Sequence, residues 1–212
     1  MGGQTAKQKG GNLMKKLTLM ALAVAAVGSQ AQAVVLYDHS SFSFDSFYPV
    51  GVEYADDINL ASVAPITSVT IGYYAAATYS GLMTVNLYAR TGFTLPGAAM
   101  ATSSVMVNAA GGFGSATVSF ANVNPGSTSL WVGMQFANGT NVIGALIGGD
   151  ATIGSSADLF TQRVGPNFGG PFFFGGSPKA NFAMTIESVP EPATVAAFGL
   201  GALGILARRR RK

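Results

Sequence analysis

Short runs in which apolar and polar residues alternate constrain the fold of this chain more than any other feature. The alternation is clear at residues 68–73, 83–88 and 116–120. A period of two is typical of β-strands, because successive side chains point to opposite faces of a sheet. Residues 130–136 are apolar almost throughout, which predicts a strand buried on both faces, and residues 183–186 predict a last strand.

Turn-forming residues separate these runs. They are Pro96-Gly97, Gly111-Gly112, Asn124-Pro125-Gly126 and Asn138-Gly139. No segment between positions 34 and 187 combines helical periodicity with capping residues. Many short strands joined by turns predict an all-β ectodomain over 34–187. The expected architecture is an antiparallel β-sandwich of jelly-roll type, with a barrel as the alternative.

The charge distribution argues against nucleic acid as a partner. The 212-residue chain has a formal net charge of +3, but most of its basic residues lie at the two ends. Between positions 34 and 187, three basic residues face eight acidic ones, so this stretch has a net charge of −5. Binding to nucleic acid requires a basic face. The chain also has no cysteine, which excludes disulfides, thiol catalysis and cysteine-ligated zinc.

The N-terminal segment has the order of a secretory signal peptide. A pair of lysines precedes an apolar run of 11 residues at 17–27, and Ala31 and Ala33 have the spacing that signal peptidase accepts. The run is shorter than the roughly 20 residues of an ordinary transmembrane helix. We predict a signal helix within 1–33, use of the Sec export machinery and cleavage by signal peptidase after Ala33. The alternatives are a retained membrane anchor and a buried core helix.

The C-terminal segment begins with an extended stretch followed by an apolar one. Val189, Pro190, Glu191 and Pro192 come first, and the two prolines prevent this backbone from becoming helical. Residues 193–207 then carry no charge over 15 positions, which predicts a short transmembrane helix. Local thinning of the bilayer would let a helix of this length span it.

A basic cluster ends the sequence. Its members are Arg208, Arg209, Arg210, Arg211 and Lys212. Anionic lipids attract such a cluster to the cytoplasmic side, where it acts as a basic stop to transfer. The predicted topology therefore has the ectodomain outside and the arginines inside. A simple C-terminal membrane anchor is the alternative.

These three parts, in this order, resemble the PEP-CTERM sorting signal. The resemblance covers residues 188–212, with the motif at 189–192, the helix at 193–207 and the basic end at 208–212. It implies recognition by an exosortase, a membrane-embedded transpeptidase-like enzyme, and cleavage near Pro192. It also implies a Gram-negative host that makes exopolysaccharide. The protein would be anchored transiently in the inner membrane before delivery to the outer surface or extracellular matrix.

Few residues are candidates for catalysis. His39 is the only histidine, and no G-x-S-x-G sequence accompanies it, which argues against a serine hydrolase. Asp56 and Asp57 are adjacent, so on a strand they would point to opposite faces and could not flank a glycosidic bond. Asp150 with Asp158 is a further carboxylate pair. We predict that the protein is not an enzyme and has no catalytic residues.

Calcium is the one cofactor that the acidic residues suggest. Asp45, Glu53, Asp56 and Asp57 would offer the oxygen ligands that Ca²⁺ prefers, at an edge of the sandwich. No EF-hand or nonapeptide repeat accompanies them. The alternative is that they are solvated loop acids.

Aromatic residues are the candidates for glycan contact, because sugars stack on exposed rings. Tyr73 and Tyr74 are neighbours on a predicted strand, so one of them should face outward, and Tyr79 lies in a predicted turn. Trp131 lies in the most apolar strand and is expected in the core. Segment 165–176, rich in Gly, Pro and Phe, is expected to be a loop whose rings cap the sandwich end. Its alternative role is an exposed apolar patch that contacts a partner or glycan.

Together these features predict an exported structural or adhesive protein of the cell envelope or extracellular matrix. It would be associated with biofilm or exopolysaccharide and processed by an exosortase. A carbohydrate-binding module is the alternative, and a secreted glycan-active enzyme is the third class. An exposed row of aromatic rings would favour the module, whereas two facing carboxylates in a cleft would favour the enzyme.

Overall fold

The structure, a computed structural model, describes residues 32–40, 46–49, 51–92, 94–176, 179 and 181–189. These residues form thirteen β-strands and no helix. Accordingly, the described part contains no helix with the length and apolar character needed to cross a membrane. The signal helix and the transmembrane helix predicted from the sequence both lie outside the described residues.

The strands follow one another along the chain with short connections. The first seven are β1 (Val34–Asp38), β2 (Ser46–Pro49), β3 (Tyr54–Asn59), β4 (Ile66–Ala75), β5 (Tyr79–Ala89), β6 (Ala99–Ala109) and β7 (Gly112–Val123). The other six are β8 (Ser129–Phe136), β9 (Ile143–Gly148), β10 (Phe160–Val164), β11 (Asn167–Phe172), β12 (Asn181–Phe182) and β13 (Met184–Ser188).

The strands form two antiparallel sheets. The seven-stranded sheet has the order β1-β13-β4-β9-β12, with β7 paired to β4 and β2 paired to β9. The six-stranded sheet has the order β11-β10-β3-β8-β5-β6. The chain changes sheet repeatedly, for example between β3 and β4 and between β4 and β5. The predicted all-β fold with antiparallel sheets is therefore confirmed.

One hydrophobic core lies between the two sheets. Val69 and Ile71 of the seven-stranded sheet and Val85 and Leu87 of the six-stranded sheet belong to the same buried cluster, and all four are fully buried. These residues occupy alternate positions along β4 and β5, as the sequence pattern predicts. Burying each such side chain contributes about 1.5–3 kcal/mol, so this core is the main source of stability.

Strand β8 is buried on both faces, as predicted. Val132 and Met134 point into the core between the sheets. Trp131 points to the other side of the sheet, where it forms a second buried cluster with Ala55 and Tyr88. Trp131 is fully buried, as expected, but in this outer cluster rather than between the sheets.

The seven-stranded sheet forks where Gly72 meets Ala183. β13 pairs with the first part of β4, and β9 pairs with its last three residues. At the junction, Gly72 N donates to Ala183 O at 2.8 Å, and Ala183 N donates to Leu146 O at 2.8 Å. A Cβ at Gly72 would lie 3.1 Å from the Ala183 Cβ, so this close approach favours glycine.

Segment 165–176 is only partly the loop that its composition predicts. Its middle part forms β11, which pairs with β10 as a hairpin. Its rings do reach the core end, because Phe172 and Phe174 lie 5.4 and 5.2 Å from Phe160 between ring centroids. Phe173 is 63% exposed, since a single extended segment cannot turn all three rings inward.

Candidate functional site

The outer face of the six-stranded sheet holds a network around a buried carboxylate. Glu53 is 5% exposed. Its Oε1 accepts hydrogen bonds from Tyr88 OH at 2.5 Å and Asn86 Nδ2 at 2.8 Å. Its Oε2 accepts one from Arg163 Nε at 2.6 Å, and Arg163 also donates to Tyr88 OH at 2.7 Å. Burial and then the neighbouring Glu53 raise the pKa of Tyr88, which keeps the phenol protonated as a donor.

Two arginines cover the aromatic residues of this face. The guanidinium of Arg163 lies 4.6 Å from the ring centroid of Phe168, and that of Arg90 lies 5.9 Å from Trp131. Arg90 also forms an ion pair with Asp57 at 3.1 Å. The positive charges of this face are therefore engaged by the protein's own acids and rings. The arrangement attaches the β10–β11 hairpin to the sheet, which is a structural role.

Asp56 and Asp57 leave β3 on opposite faces, as predicted. Ile58, two residues after Asp56, lies in the core between the sheets, whereas Ala55, two residues before Asp57, lies in the outer cluster. Both carboxylates nevertheless approach one hydroxyl. Ser156 Oγ lies 3.0 Å from Asp56 Oδ1 and 3.5 Å from Asp57 Oδ1.

The contacts of Ser156 indicate a neutral Asp56. Ser156 Oγ lies 3.0 Å from Asp56 Oδ1, 3.0 Å from Asn181 Oδ1 and 3.1 Å from Ala157 O, but it has only one hydrogen to donate. A proton on Asp56 supplies a second donor. Burial, and then the charge of Asp57, raise the pKa of Asp56 well above its usual range. The Asp56 Oδ2 accepts a hydrogen bond from Phe182 N at 2.8 Å.

Asp57 keeps its ionic partner despite complete burial. Burial raises its pKa, while the charge of Arg90 and a hydrogen bond from Ala157 N act in the opposite direction. Neither Asp57 nor Asp56 is exposed. The pair is therefore inaccessible to a substrate in this structure, and the arrangement offers no chemistry across a cleft.

His39, the only histidine, is part of the packed domain. It follows β1, is fully buried, and its Nδ1 lies 3.1 Å from Phe182 O, to which the neutral Nδ1–H tautomer donates. Burial lowers the pKa of His39 and favours this neutral form. This hydrogen bond to Phe182 of β12 fixes the ring at the end of the sandwich.

The described acids do not form the suggested calcium site. Asp45 lies outside the described residues, and the Glu53, Asp56 and Asp57 side chains are bonded to protein donors. Across the residues that the structure describes, no three His, Cys, Asp or Glu side chains are grouped so as to hold a metal ion. Asp150, of the other carboxylate pair, contacts Lys179.

The three tyrosines proposed for glycan contact have different environments. Tyr73 is 8% exposed and Tyr79 is 5% exposed, so neither presents a ring to solvent. The prediction for these two is wrong: both rings pack against Phe136, at 6.1 and 6.2 Å between centroids. Tyr79 lies in β5 rather than in a turn. Tyr74 is the outward-facing neighbour, and its ring lies 5.0 Å from that of Phe113.

Phe113 is an exposed aromatic residue that was not predicted from the sequence as a candidate for glycan contact. It is 68% exposed and directly follows the Gly111-Gly112 turn. The alternation of β7 could have predicted this exposure. It places Phe113 on the same face as Ser115 and Thr117, opposite the buried Val118.

The processing residues lie at the limits of the described chain. Val189 is 41% exposed and follows β13 without an intervening residue. Pro190, Glu191, Pro192 and the basic stop at 208–211 lie outside the described residues. At the other end, Ala33 is exposed immediately before β1, and Ala31 lies outside the described residues.

The described part of the chain is an all-β domain of two antiparallel sheets, and it precedes a segment with a recognisable sorting function. Residues 188–212 match the family described as the PEP-CTERM protein-sorting motif. No curated protein and no solved structure matched the chain. The chain thus fits a PEP-CTERM protein, and the motif implies an exported, envelope-associated protein that is sorted by an exosortase.

Proposed function

We propose that the domain over 34–187 is a structural or adhesive component of the extracellular matrix, placed there by exosortase processing. The sorting motif at 188–212 is the observation that carries this proposal. An adhesive domain needs a stable scaffold with accessible faces rather than a reactive cleft. The shared core and the buried ion pairs of Glu53 and Asp57 fit such a scaffold.

The strand order supports a jelly-roll architecture for this scaffold. Eight strands form two four-stranded sets with the orders β1-β13-β4-β7 and β3-β8-β5-β6. Successive strands alternate between the two sets except at the β5–β6 hairpin, as in the two Greek keys of a jelly roll. The other strands, β2 and β9 to β12, are additions to this framework.

The proposed processing follows from the order of the sequence. Signal peptidase cleaves after Ala33, and the segment 193–207 then stops transfer as a transmembrane helix with 208–212 in the cytoplasm. Exosortase cleaves near Pro192 and releases the domain to the outer surface of a Gram-negative cell. Because β13 ends at Ser188, the folded domain reaches almost to the motif.

A non-enzymatic role is part of the same proposal. The acids of β3 and its neighbour Glu53 are buried and bonded to protein donors. A glycosidase requires two carboxylates on either side of an accessible bond. The engaged state of these acids supports a scaffold role over a glycan-active enzyme.

A localisation experiment tests the proposal. The host would express the wild-type chain or a chain with Pro190→Ala, Glu191→Ala and Pro192→Ala, each in the presence and absence of exosortase. Immunodetection in membrane, soluble and extracellular-polymer fractions should find the wild type with the polymer only when exosortase is present. Loss of the protein should also weaken floc or biofilm cohesion. Unchanged cohesion, or polymer association of the altered chain, would contradict the proposal.

Carbohydrate binding is the second candidate function. The observation in its favour is the outward-facing pair of Tyr74 and Phe113, because solvent-exposed rings are the usual stacking surface for sugars. Such binding would also explain how an adhesive domain is retained by a polysaccharide matrix.

A further inference from the structure

The outer face of the seven-stranded sheet carries a row of polar residues that crosses four strands. Asp38 of β1 is in register with Thr185 of β13, Thr185 with Thr70 of β4, and Thr70 with Thr117 of β7. The Thr70 and Thr117 hydroxyls are 2.8 Å apart, and Thr185 donates to Asp38 Oδ1 at 3.1 Å. The row therefore presents hydroxyl groups side by side across the sheet.

An aromatic row runs parallel to it. Tyr74 of β4 is in register with Phe113 of β7, and their ring centroids are 5.0 Å apart. Tyr74 is four residues beyond Thr70, so the two rows are separated by about 13 Å along the strands. Phe113 is 68% exposed, which leaves most of its ring accessible.

Small residues form the floor between the two rows. Gly72 lies between Thr70 and Tyr74 on β4, is paired with Ser115 of β7, and contacts Ala183. The result is a trough of about 500 Å³ along this face. Its walls are hydroxyls on one side and an aromatic residue on the other.

The charges at the trough favour a neutral ligand. None of the residues described as lining it is charged, and positions 91–149, which include β7, contain no acidic or basic residue. Behind one end lies Asp38, which accepts hydrogen bonds from the Ser40 and Thr152 hydroxyls. Burial alone would raise the pKa of Asp38, but these hydrogen bonds lower it, so the carboxylate is ionised and repels anions.

The hydroxyls next to Asp38 can receive hydrogen bonds from a ligand. Ser40 and Thr185 donate their hydrogens to Asp38, which leaves their oxygen lone pairs as acceptors. An anionic group that carries no hydrogen cannot use such acceptors. A sugar hydroxyl can donate to them, while the apolar face of a sugar ring stacks on an aromatic ring.

We propose that this trough binds a neutral glycan chain, with a sugar ring against Phe113 and sugar hydroxyls bonded to Thr70 and Thr185. An apolar partner surface, including that of a second copy of this chain, would leave the hydroxyl row unpaired at a cost. The inference rests on the proposed matrix role and names the class of polymer that the domain holds. No bond is made or broken in this binding.

Affinity electrophoresis of the protein released from the host tests the assignment. Gels would contain hydroxyethylcellulose, galactomannan or polygalacturonate, and migration would be compared with a polymer-free gel. We expect retardation by a neutral polymer and none by polygalacturonate. Phe113→Ala should weaken retardation about tenfold, because Phe113 supplies most of the exposed ring area. Thr70→Val should also weaken retardation, because it removes a hydroxyl that lines the trough at nearly constant side-chain volume.

Met106→Ala is the matched control, because Met106 is 56% exposed on the other sheet. It should leave retardation unchanged, and equal melting temperatures would show that each variant is folded. The assignment would be overturned if only polygalacturonate retarded the protein, or if neither neutral polymer did. It would also be overturned if Met106→Ala weakened retardation as much as Phe113→Ala. An apparent molecular mass that rises with protein concentration in the wild type, but not in Phe113→Ala, would also overturn it. That result would indicate that a second copy of the chain occupies the trough. If the wild type still reaches the matrix fraction, such a result rejects the trough and not the matrix role.

Discussion

The carboxylate of Glu53 occupies the space where a side chain at Gly133 would lie. A Cβ added to Gly133 would be 2.2 Å from Glu53 Oε1. The glycine therefore allows a charged group to lie flat on the centre of the six-stranded sheet, where Tyr88 and Arg163 bond to it. The acid lies just before β3, the glycine in β8 and the donors in β5 and β10, so only the fold brings them together.

Gly133→Ala should be strongly destabilising. The methyl group would displace Glu53 and separate it from Tyr88 and Arg163, which we expect to cost about 3 kcal/mol. Urea unfolding at neutral pH measures the change. Gly92→Ala is the matched control, because a Cβ at Gly92 meets no atom within 4 Å. Equal stability of the two variants would show that Glu53 moves aside freely.

The Glu53–Arg163 pair should show coupling in a double-mutant cycle. Arg163→Met leaves a buried carboxylate without its charged partner and should cost about 3 kcal/mol. Glu53→Gln removes the charge, so the second substitution in that background should cost less. We expect a coupling free energy of about 1–3 kcal/mol from urea unfolding of the four proteins. Additivity within about 0.5 kcal/mol would mean that the pair contributes no specific interaction.

Ionisation of Asp56 should make the protein less stable as pH rises. Its pKa is raised in the folded state, so between the unfolded value of about 3.9 and the raised folded value the native state binds more protons. The free energy of unfolding therefore falls as pH increases through that window. Asp56→Asn keeps a donor for Ser156 and an acceptor for Phe182 N, and it should flatten this fall.

Urea unfolding at several pH values from 4 to 8 measures the effect on Asp56→Asn. Asp150→Asn is the control, because the Asp150 side chain is 74% exposed. If the Asn variant were less stable than the wild type at pH 8, Asp56 would be ionised and required in the native state.

Tyr79→Phe should change the stability of the protein without changing its binding to glycan. Tyr79 OH donates to Ala137 O at 2.7 Å, and removal of this hydrogen bond should cost about 1 kcal/mol. Because the ring is buried, retardation in a galactomannan gel should not change. A loss of glycan binding without a loss of stability would restore Tyr79 as a contact residue.

The sequence predicted the strands whose two faces differ in polarity. β4, β5 and β7 alternate because one face meets the core and the other meets solvent, and β13 was found for the same reason. β3 was not predicted, because adjacent aspartates are typical of loops. The groups that stabilise Asp56 and Asp57 inside the domain are distant in sequence. Arg90 and Ser156 lie 33 and about 100 residues away in sequence from Asp57 and are joined to it only by the fold.

The candidate trough was also only partly predictable. Alternation places Tyr74 outward, but the aromatic row requires Phe113, which reaches Tyr74 only through the register of β4 with β7. The row of polar residues requires four strands in order, of which β1 and β13 are at opposite ends of the domain. Strand order is set by packing of distant segments, and a local pattern does not contain it.

Mass spectrometry of the C-terminus of the mature protein is the most direct test of the central claim that the tail is a sorting signal. The protein would be purified from the surface fraction of cells with exosortase and from cells without it. With exosortase, the mature chain should end near Pro192 and lack 193–212; without it, the chain should retain Lys212 and stay in the membrane. Surface material that retains Lys212 in the presence of active exosortase would contradict the account.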